Sequence, residues 1–449
     1  MRFKDYLPYY KRNLKVAFPV MLTQLGACLA GLFDSIMVGH YATADLAAVS
    51  FSNAIFFTIM VFSMGALMGV TPLVGFEVGA QSDKKNIQHL YHSGLLFTCL
   101  LAVAMALLLG ACLPFLHLFG QEPVVIEAAR PYYACIVLSI IPFLFYCLFK
   151  QFLEGLGNTV VAMVISIAMN FLNIVLNWIF IFGHCGFEPM GAKGAGIATL
   201  ISRLLMPICF AIVLLRHHEW KQYLQPMHEH WKQRWNGIKK LWVTGYPIGC
   251  QTMLETVTFT LSFIFIGWLN KESLAAHQIA NQIADVTFML AMGIGAATTI
   301  RVSHQLGKGD LVAVRMASNA SIHLVLLMNT IGALLMISLR TYIPRLFTED
   351  PLVIDIAQNL ILFAGLFQYA DGLQTVGAAM LRGLTDVKRP MVYAFIAYIL
   401  VALPIGLLCT FTFHWGAKGM WLGFIFGLSL AAIFFHTRFR QLLQHLQKS

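Results

Sequence analysis

The most regular feature of the chain is a series of long apolar stretches separated by short polar ones. A helix that crosses a bilayer needs about 20 mostly apolar residues. Twelve segments meet this requirement, so we predict an all-α polytopic membrane protein with twelve transmembrane helices. The predicted spans lie near residues 14–39, 48–75, 91–114, 131–150, 159–183, 194–216, 242–268, 276–299, 319–341, 357–381, 390–412 and 416–436.

Lysine and arginine are unevenly distributed among the polar segments. Of the 30 basic residues, 23 lie in the two ends and the even-numbered connections, six lie in the odd-numbered connections, and Arg203 lies inside a predicted helix. Because basic residues accumulate in cytoplasmic loops, we expect both termini to lie in the cytoplasm. The net charge of +10 is then a sign of topology, and we expect no nucleic-acid partner.

Composition excludes several classes of protein. Charged residues make up 11% of the chain and hydrophobic residues 59%, whereas soluble domains carry about 25% charged residues. A soluble enzyme, a nucleic-acid-binding domain and a disordered chain are therefore excluded. A membrane-embedded enzyme is also unsupported, because the sequence holds no HExxH-type motif, and a primary pump is unsupported, because it holds no GxxxxGK[ST] loop. We expect no enzymatic activity and no cofactor.

The chain contains an internal repeat with an offset of 228 residues. Residues 46–81 and 274–309 share ten identities in 36 ungapped pairs, and the sequence GAKG at 191–194 returns at 416–419 with an offset of 225. Each repeat unit holds six predicted helices, so both enter the membrane from the same side. Such units are related by a pseudo-twofold axis along the membrane normal, which is one of the plans of secondary transporters.

We therefore predict an N-terminal lobe of helices 1–6 at residues 1–216 and a C-terminal lobe of helices 7–12 at residues 241–449. The polar segment 217–240 reads as a cytoplasmic linker, and we interpret its four histidines, including His228, as solvated side chains rather than a metal site. Two facing lobes would enclose a central cleft, and rocking them would give alternating access. Since one chain supplies both lobes, we expect a functional monomer in the lipid bilayer.

Three acidic residues stand out among those within the predicted spans, where a carboxylate costs about 2.5–3.5 kcal/mol on insertion scales. They are Asp34, Glu255 and Asp371. The repeat places no acid at the equivalent positions, which hold Ser262, Ala27 and Phe143. Glu255 and Asp371 lie near the midpoints of helices 7 and 10, so they could share a site for a proton, a monovalent cation or a cationic substrate. The alternative is that each acid is satisfied by hydroxyl or backbone donors.

A second set of polar residues lies in the first lobe. Asn173 and Asn177 share one face of helix 5. Asp34 and Thr199 are expected at a depth in the membrane similar to that of Asn177. A carboxylate with amide and hydroxyl oxygens is a plausible ligand set for Na⁺. The alternative for the two asparagines is hydrogen bonding between helices.

Further polar residues could line the cleft. His277 and Gln278 begin helix 8, where they could either cap the helix or line the lumen. Arg203 could either pair with a carboxylate or extend towards a polar cavity. The candidate residues of a substrate cleft are Asp34, Glu255, Asp371, Gln278, Gln282, Asp285 and Gln368.

Several stretches together resemble the multidrug and toxic compound extrusion family, in its NorM-like bacterial branch. They are FDSIMVGHYATADLAAVS (33–50), NFLNIVLNWIFIFG (170–183), MGAKGAGIATLIS (190–202), LAAHQIA (274–280), RVSHQLGKGD (301–310) and FQYADGLQTVGAAMLRGLTDVKRP (367–390). The resemblance implies an exporter of organic cations and amphiphilic drugs in the bacterial inner membrane, driven by a Na⁺ or H⁺ gradient.

The resemblance also implies roles for particular positions. Asp34 matches an aspartate of helix 1 that is associated with cation binding and extrusion, while Glu255 and Asp371 match acids of helices 7 and 10. Na⁺ could then bind at Asp34, Asn173, Asn177 and Thr199 or at Glu255 and Asp371. The main alternative function is a flippase for a lipid-linked saccharide precursor of the same superfamily. That function would need a strongly cationic cleft, and the first lobe offers Arg203 alone.

Overall fold

The computed structural model describes residues 3–225 and 230–448, and nearly all of these residues are helical. Within them, twelve helices are long and apolar enough to cross a membrane. The predicted number of spans and the all-α class are therefore confirmed. His228, in the predicted linker, lies outside the described residues.

The first repeat and the connection after it contain eight helices, and α2 and α3 together form one span. They are α1 (Phe3–Tyr41), α2 (Thr43–Leu67), α3 (Val70–Gly79), α4 (Lys84–Cys112), α5 (Pro123–Gly155), α6 (Val160–Phe182), α7 (Gly191–Arg216) and the short α8 (His218–Lys221).

The second repeat contains seven helices, and its fifth span is interrupted by two π-helical turns. They are α9 (Trp231–Gly267), α10 (Lys271–Gly307), α11 (Leu311–Leu339), α12 (Pro351–Gly383), α13 (Lys388–Phe395), α14 (Leu403–Leu407) and α15 (Ala417–Lys448), with π-helical turns at Ile396–Ala402 and Leu408–Thr412.

Equivalent helices of the two repeats begin in the same way. The side chain of Asp83 accepts a hydrogen bond from the backbone N–H of Lys85 at the start of α4. Asp310 accepts one from the backbone N–H of Ala313 at the start of α11. An aspartate at this position satisfies backbone donors that have no partner within the helix, so both repeats carry the same signal at the start of their third span.

The helices form two compact units, one of residues Leu22–Gly249 and one of residues Met1–Met21 with Cys250–Ser449. The chain passes from one unit to the other after Met21 and after Gly249, two positions that lie 228 residues apart, which is the offset of the repeat. Each position lies two residues after a proline in the first helix of a repeat, Pro19 in α1 and Pro247 in α9. The units therefore differ from the predicted lobes. The N-terminal part of α1 belongs to the unit of the second repeat, and the N-terminal part of α9 belongs to the unit Leu22–Gly249. The described linker residues also belong to Leu22–Gly249.

Specific contacts join the N-terminal parts of α1 and α9 to their units. The side-chain amide of Asn13 in α1 donates to the carbonyl of Ala317 at 3.0 Å and to the hydroxyl of Ser321 at 2.9 Å, both on α11. In the other unit, Lys240 of α9 forms an ion pair with Glu77 of α3 at 3.8 Å. The assignment of these segments thus depends on side-chain contacts that the hydropathy pattern does not show.

The recurring GAKG sequence marks two equivalent close contacts. Gly191 and Gly416 have φ of +53° and +60°, a conformation that glycine adopts readily and other residues rarely. A Cβ atom on Gly194 would lie 2.6 Å from the carbonyl oxygen of Phe180, and one on Gly419 would lie 2.6 Å from the carbonyl carbon of Cys409. The motif therefore recurs because the last helix of each repeat packs closely against the helix before it.

We expect Gly194→Ala and Gly419→Ala each to reduce stability by about 1–3 kcal/mol, because the added methyl group forces two helix backbones apart. Gly110→Ala on α4 is the matched control, since a Cβ there meets nothing within 4 Å. Thermal unfolding in detergent, followed by fluorescence-detected size-exclusion chromatography, measures the difference. Equal melting temperatures for the three variants would contradict the packing argument.

Candidate ion and substrate sites

The first candidate site lies within Leu22–Gly249 and is built on α1 and α6. The side-chain amide of Asn177 donates to a carboxylate oxygen of Asp34 at 2.5 Å and to the side-chain oxygen of Asn173 at 3.4 Å. Both asparagines are buried and Asp34 is half-buried. The structure therefore brings together three of the four residues that the sequence grouped.

An unsatisfied acceptor supports a cation at this site. The side-chain oxygen of Asn177 is buried and accepts no hydrogen bond within the described residues. A buried acceptor without a donor is unfavourable, and an amide oxygen beside a carboxylate is a suitable ligand for a hard cation such as Na⁺. Thr199 is half-buried on α7, and no hydrogen bond of the described chain joins it to the other three residues.

Arg203 lies on α7, one helical turn after Thr199. Its Nη1 donates to the hydroxyl of Ser139 at 2.8 Å, and its guanidinium carbon lies 5.1 Å and 4.9 Å from the ring centres of Phe56 and Phe143. No ion pair joins Arg203 to Asp34 within the described chain. The partner that the sequence left open is therefore a hydroxyl and two aromatic faces.

The second candidate site lies in the other unit and joins α9 to α12. The side-chain amide of Gln374 donates to Glu255 at 2.8 Å and to Asp371 at 3.3 Å, and its oxygen accepts from the hydroxyl of Tyr398 at 2.8 Å. Asp371, Gln374 and Tyr398 are buried, and Glu255 is half-buried. A single amide thus serves two carboxylates, which leaves acceptor capacity for a proton or a cation.

Sequence reasoning missed Gln374 and Tyr398. Gln374 follows Asp371 by three residues and so shares its helix face, which is a signal that could have been used. Tyr398 lies in the π-helical turn Ile396–Ala402, close before Pro404, whose missing N–H cannot donate within the helix. Such turns occur often at functional sites, but the hydropathy pattern does not reveal them.

The remaining cleft candidates fall into two groups. Gln278, Gln282 and Asp285 are exposed and, with spacings of four and three residues, share one face of α10. Gln368 is instead buried between α11 and α12, where its amide donates to the sulfur of Met336 at 3.8 Å and to the carbonyl of Gly365 at 3.4 Å. It makes no hydrogen bond to Asp371 in the described chain.

His277 neither caps α10 nor faces an open space. The cap is Asn270, which accepts from the backbone N–H of Ser273 at 2.7 Å. His277 is fully buried, its Nδ1 accepts from the indole of Trp421 at 3.1 Å, and its Nε2 lies 3.2 Å from the hydroxyl of Ser262. Because the indole N–H can only donate, Nδ1 carries no proton, and His277 acts as a packing residue between helices.

Twelve spans in two six-span repeats, with a few acids held inside the helices, define a membrane protein of the transporter class. The family described as MatE matches the chain twice, at residues 19–179 and 247–408. The two matches begin 228 residues apart and thereby confirm the repeat. The chain belongs to the MatE family, as a NorM-like member.

Named relatives and solved structures agree with this assignment. The chain is 32% identical over 428 residues to the "Probable multidrug resistance protein NorM" of Xylella fastidiosa, covering 95% of this chain and 91% of the relative. It is 32% identical over 436 residues to the "Multidrug resistance protein NorM" of Photobacterium profundum, covering 96% and 95%. With twelve spans and bacterial relatives of this kind, the protein is a multi-pass protein of the inner membrane.

The fold is similar to those of solved MATE transporters. The structure described as "Outward-facing conformation of a multidrug resistance MATE family transporter of the MOP superfamily" has a TM-score of 0.88 and 20% identity, covering 98% of this chain and 97% of the other. The eukaryotic MATE transporter AtDTX14 has a TM-score of 0.85 and 19% identity, covering 99% of each chain. At these identities the similarity concerns the fold alone.

We expect Gln374→Met to lower stability, because both acids and the hydroxyl of Tyr398 lose a hydrogen-bond partner while the volume of the side chain is kept. Each buried group left unsatisfied costs about 1–3 kcal/mol. Gln441→Met is the matched control, since Gln441 is exposed on α15. The melting temperature of the purified protein measures the effect, and equal values for the two variants would show that Gln374 does not stabilise this site.

Proposed function

We propose that the protein is a cation-coupled multidrug efflux antiporter, which exports organic cations and amphiphilic drugs in exchange for Na⁺, or alternatively H⁺, by alternating access. The observation that carries the proposal is the pair of carboxylates, Glu255 and Asp371, that share the amide of Gln374. The names of the relatives support the same function. No cofactor is needed beyond the coupling ion.

The charge of this pair supplies a reason for exchange. Two carboxylates on one amide repel each other, and either a small cation or the cationic group of a drug relieves the repulsion. Because both compete for the same negative charge, binding of one weakens binding of the other, and the effect is reciprocal. An ion that arrives from outside would therefore favour release of the drug.

The site around Asp34 is the second candidate for the coupling ion. Asp34, Asn173 and Asn177 offer oxygen ligands within one unit, and the unsatisfied oxygen of Asn177 is the atom that a Na⁺ ion would complete. Thr199 stands one turn before Arg203 on α7 and would contribute a hydroxyl oxygen. The exposed polar face of α10, with Gln278, Gln282 and Asp285, would contact the drug.

Two further features complete the proposal. Both termini lie in the cytoplasm, as the distribution of lysine and arginine indicates. The functional unit is a monomer in the bilayer, because one chain holds both repeats.

We expect Asp34→Asn, Glu255→Gln and Asp371→Asn each to abolish ethidium efflux from a pump-deficient bacterial host, because each removes a charge that the ion and the drug would share. Asp355→Asn is the control, since Asp355 is exposed on the same helix as Asp371 and lies outside both sites. Membrane insertion is verified by fluorescence of a fused reporter. Ion-dependent efflux retained in all three variants would refute the assignment of the sites.

The coupling ion can be identified in proteoliposomes that contain purified protein and a fluorescent cationic drug. We expect an imposed Na⁺ gradient at equal pH to drive drug movement in the opposite direction, because the amide and carboxylate oxygens of the Asp34 site suit Na⁺. A pH gradient imposed without Na⁺ tests the alternative, and drug movement under that gradient alone would assign the coupling to H⁺. If neither gradient moves the drug, antiport is excluded.

A further inference from the structure

Arg301, near the end of α10, has buried hydrogen-bond donors without an acceptor. Its Nε and Nη2 atoms are buried and make no hydrogen bond within the described residues. A buried donor left unsatisfied costs about 1–3 kcal/mol. These two atoms lie along one edge of the guanidinium, the arrangement that binds two oxygens of a carboxylate or a phosphate. Because the residue is partly exposed, an anion from outside the protein can approach it.

The repeat shows that the two units differ in charge at this position. Arg301 stands where the first repeat has Leu73. Gln305, one turn later on the same face of α10, stands where the first repeat has Glu77. Relative to the first repeat, the second therefore has one more base and one acid fewer at neighbouring positions of equivalent spans. Both differences favour an anion.

The acid of the first repeat has a basic partner, and the equivalent of that partner is also basic. Lys240 of α9 forms an ion pair with Glu77 at 3.8 Å in the unit Leu22–Gly249. Arg12 of α1 is the repeat equivalent of Lys240, and it belongs with Gln305 to the other unit. The ion pair of one unit thus corresponds to a base and a neutral amide in the other.

The contact between α1 and α10 brings both arginines to the same end of their unit. A Cβ atom on Gly293 of α10 would meet the side chain of Met21 and lie 3.2 Å from the carbonyl oxygen of Ala17, both on α1. Arg301 lies eight residues after Gly293, about 12 Å along the helix, and Arg12 lies five residues before Ala17, about 7.5 Å. Since the first and eighth spans run in opposite directions, both steps lead towards the end where α1 begins.

The exposed surface of α1 next to this end suits a lipid. Leu14 and Phe18 are exposed and share one face of the helix, because they are four residues apart. Lys11 and Lys15 are also exposed, and at 100° per residue they lie around the helix between that face and Arg12. Bases at the end of a span with apolar side chains along it match a phosphate head group with acyl chains.

We propose that Arg301 and Arg12 bind the phosphate of an anionic phospholipid at the end of their unit where α1 begins. Arg301 donates from Nε and Nη2 to two phosphate oxygens, and Arg12 supplies the second positive charge. Basic pockets between spans bind lipid head groups in this way in other membrane proteins. The inference goes beyond the proposed export function and does not depend on it, since lipid binding can be measured without transport.

The test counts lipid molecules bound to the purified protein in detergent by native mass spectrometry. Dioleoyl phosphatidylglycerol is the anionic probe, and dioleoyl phosphatidylcholine has the same acyl chains without the net charge. We expect the wild type to bind the first phosphatidylglycerol at least tenfold more tightly than phosphatidylcholine. We expect Arg301→Gln to lower the affinity for phosphatidylglycerol at least fivefold and to leave that for phosphatidylcholine unchanged.

Arg440→Gln is the matched control for Arg301→Gln. It removes the same charge from an exposed residue of α15 in the same unit, and we expect both lipid affinities to stay at their wild-type values. A loss in Arg301→Gln alone would therefore reflect the site rather than the net charge of the protein.

Gln305→Glu tests the site without removing an arginine. It introduces the acid that the first repeat has as Glu77, and this carboxylate would take the place of the phosphate between the two bases. We expect at least a fivefold loss of affinity for phosphatidylglycerol, while the melting temperature in lipid-free detergent stays at the wild-type value or rises. If Arg301→Gln cannot be purified in folded form, this variant decides the question.

Three outcomes would overturn the inference. Wild-type affinity for phosphatidylglycerol in both Arg301→Gln and Gln305→Glu would assign Arg301 to the fold alone. Equal binding of the two lipids by the wild type would exclude an anionic lipid. If inorganic phosphate raises the melting temperature of the wild type as much as phosphatidylglycerol does at equal concentration, the ligand is a soluble phosphate and the lipid assignment is wrong.

Discussion

A charged side chain inside a membrane-spanning helix must find its partners within the protein, because hydrocarbon offers none. The polar chemistry of this protein is organised by that constraint. Asp34 accepts a hydrogen bond from Asn177. Arg203 donates to Ser139 and contacts two aromatic rings. One glutamine amide donates to both Glu255 and Asp371. Each group is only partly satisfied by these partners. The acceptor and donor capacity that is left over is what the proposed ion and drug would use.

Duplication explains how two such sites came to differ on one scaffold. The two matches to the family are offset by the length of the repeat, and the GAKG glycines make equivalent close contacts in both halves. The charged positions do not follow the repeat, since Phe143 stands opposite Asp371 and Ser262 opposite Asp34. A shared backbone geometry therefore holds a pair of acids on one amide in one unit and a single acid beside two asparagines in the other. The two units thus carry different polar groups on equivalent helices.

The candidate site shows where prediction from sequence succeeded and where it stopped. The cost of placing a carboxylate inside a span identified Glu255 and Asp371 as candidates, and the structure joins them through the amide of one glutamine. The candidates predicted from the sequence included Gln368, whereas the hydrogen bonds to the two acids come from Gln374. Both glutamines lie three residues from Asp371 and therefore share its helix face. Only the neighbouring helices distinguish them, because Gln368 packs against Met336 of α11 while Gln374 reaches Glu255 and Tyr398.

The sequence by itself determined the number of spans, the duplication, the family and the small set of acids worth considering. These features are local or periodic, since hydropathy over a helix length and identity at a constant offset can both be counted along the chain. Tertiary structure alone decided which unit the first halves of α1 and α9 join, which glutamine donates to the acids, and that the guanidinium of Arg203 contacts a hydroxyl and two aromatic rings. Those outcomes depend on contacts between residues far apart in the chain, where side-chain volume and hydrogen-bond geometry, rather than hydropathy, select the partner.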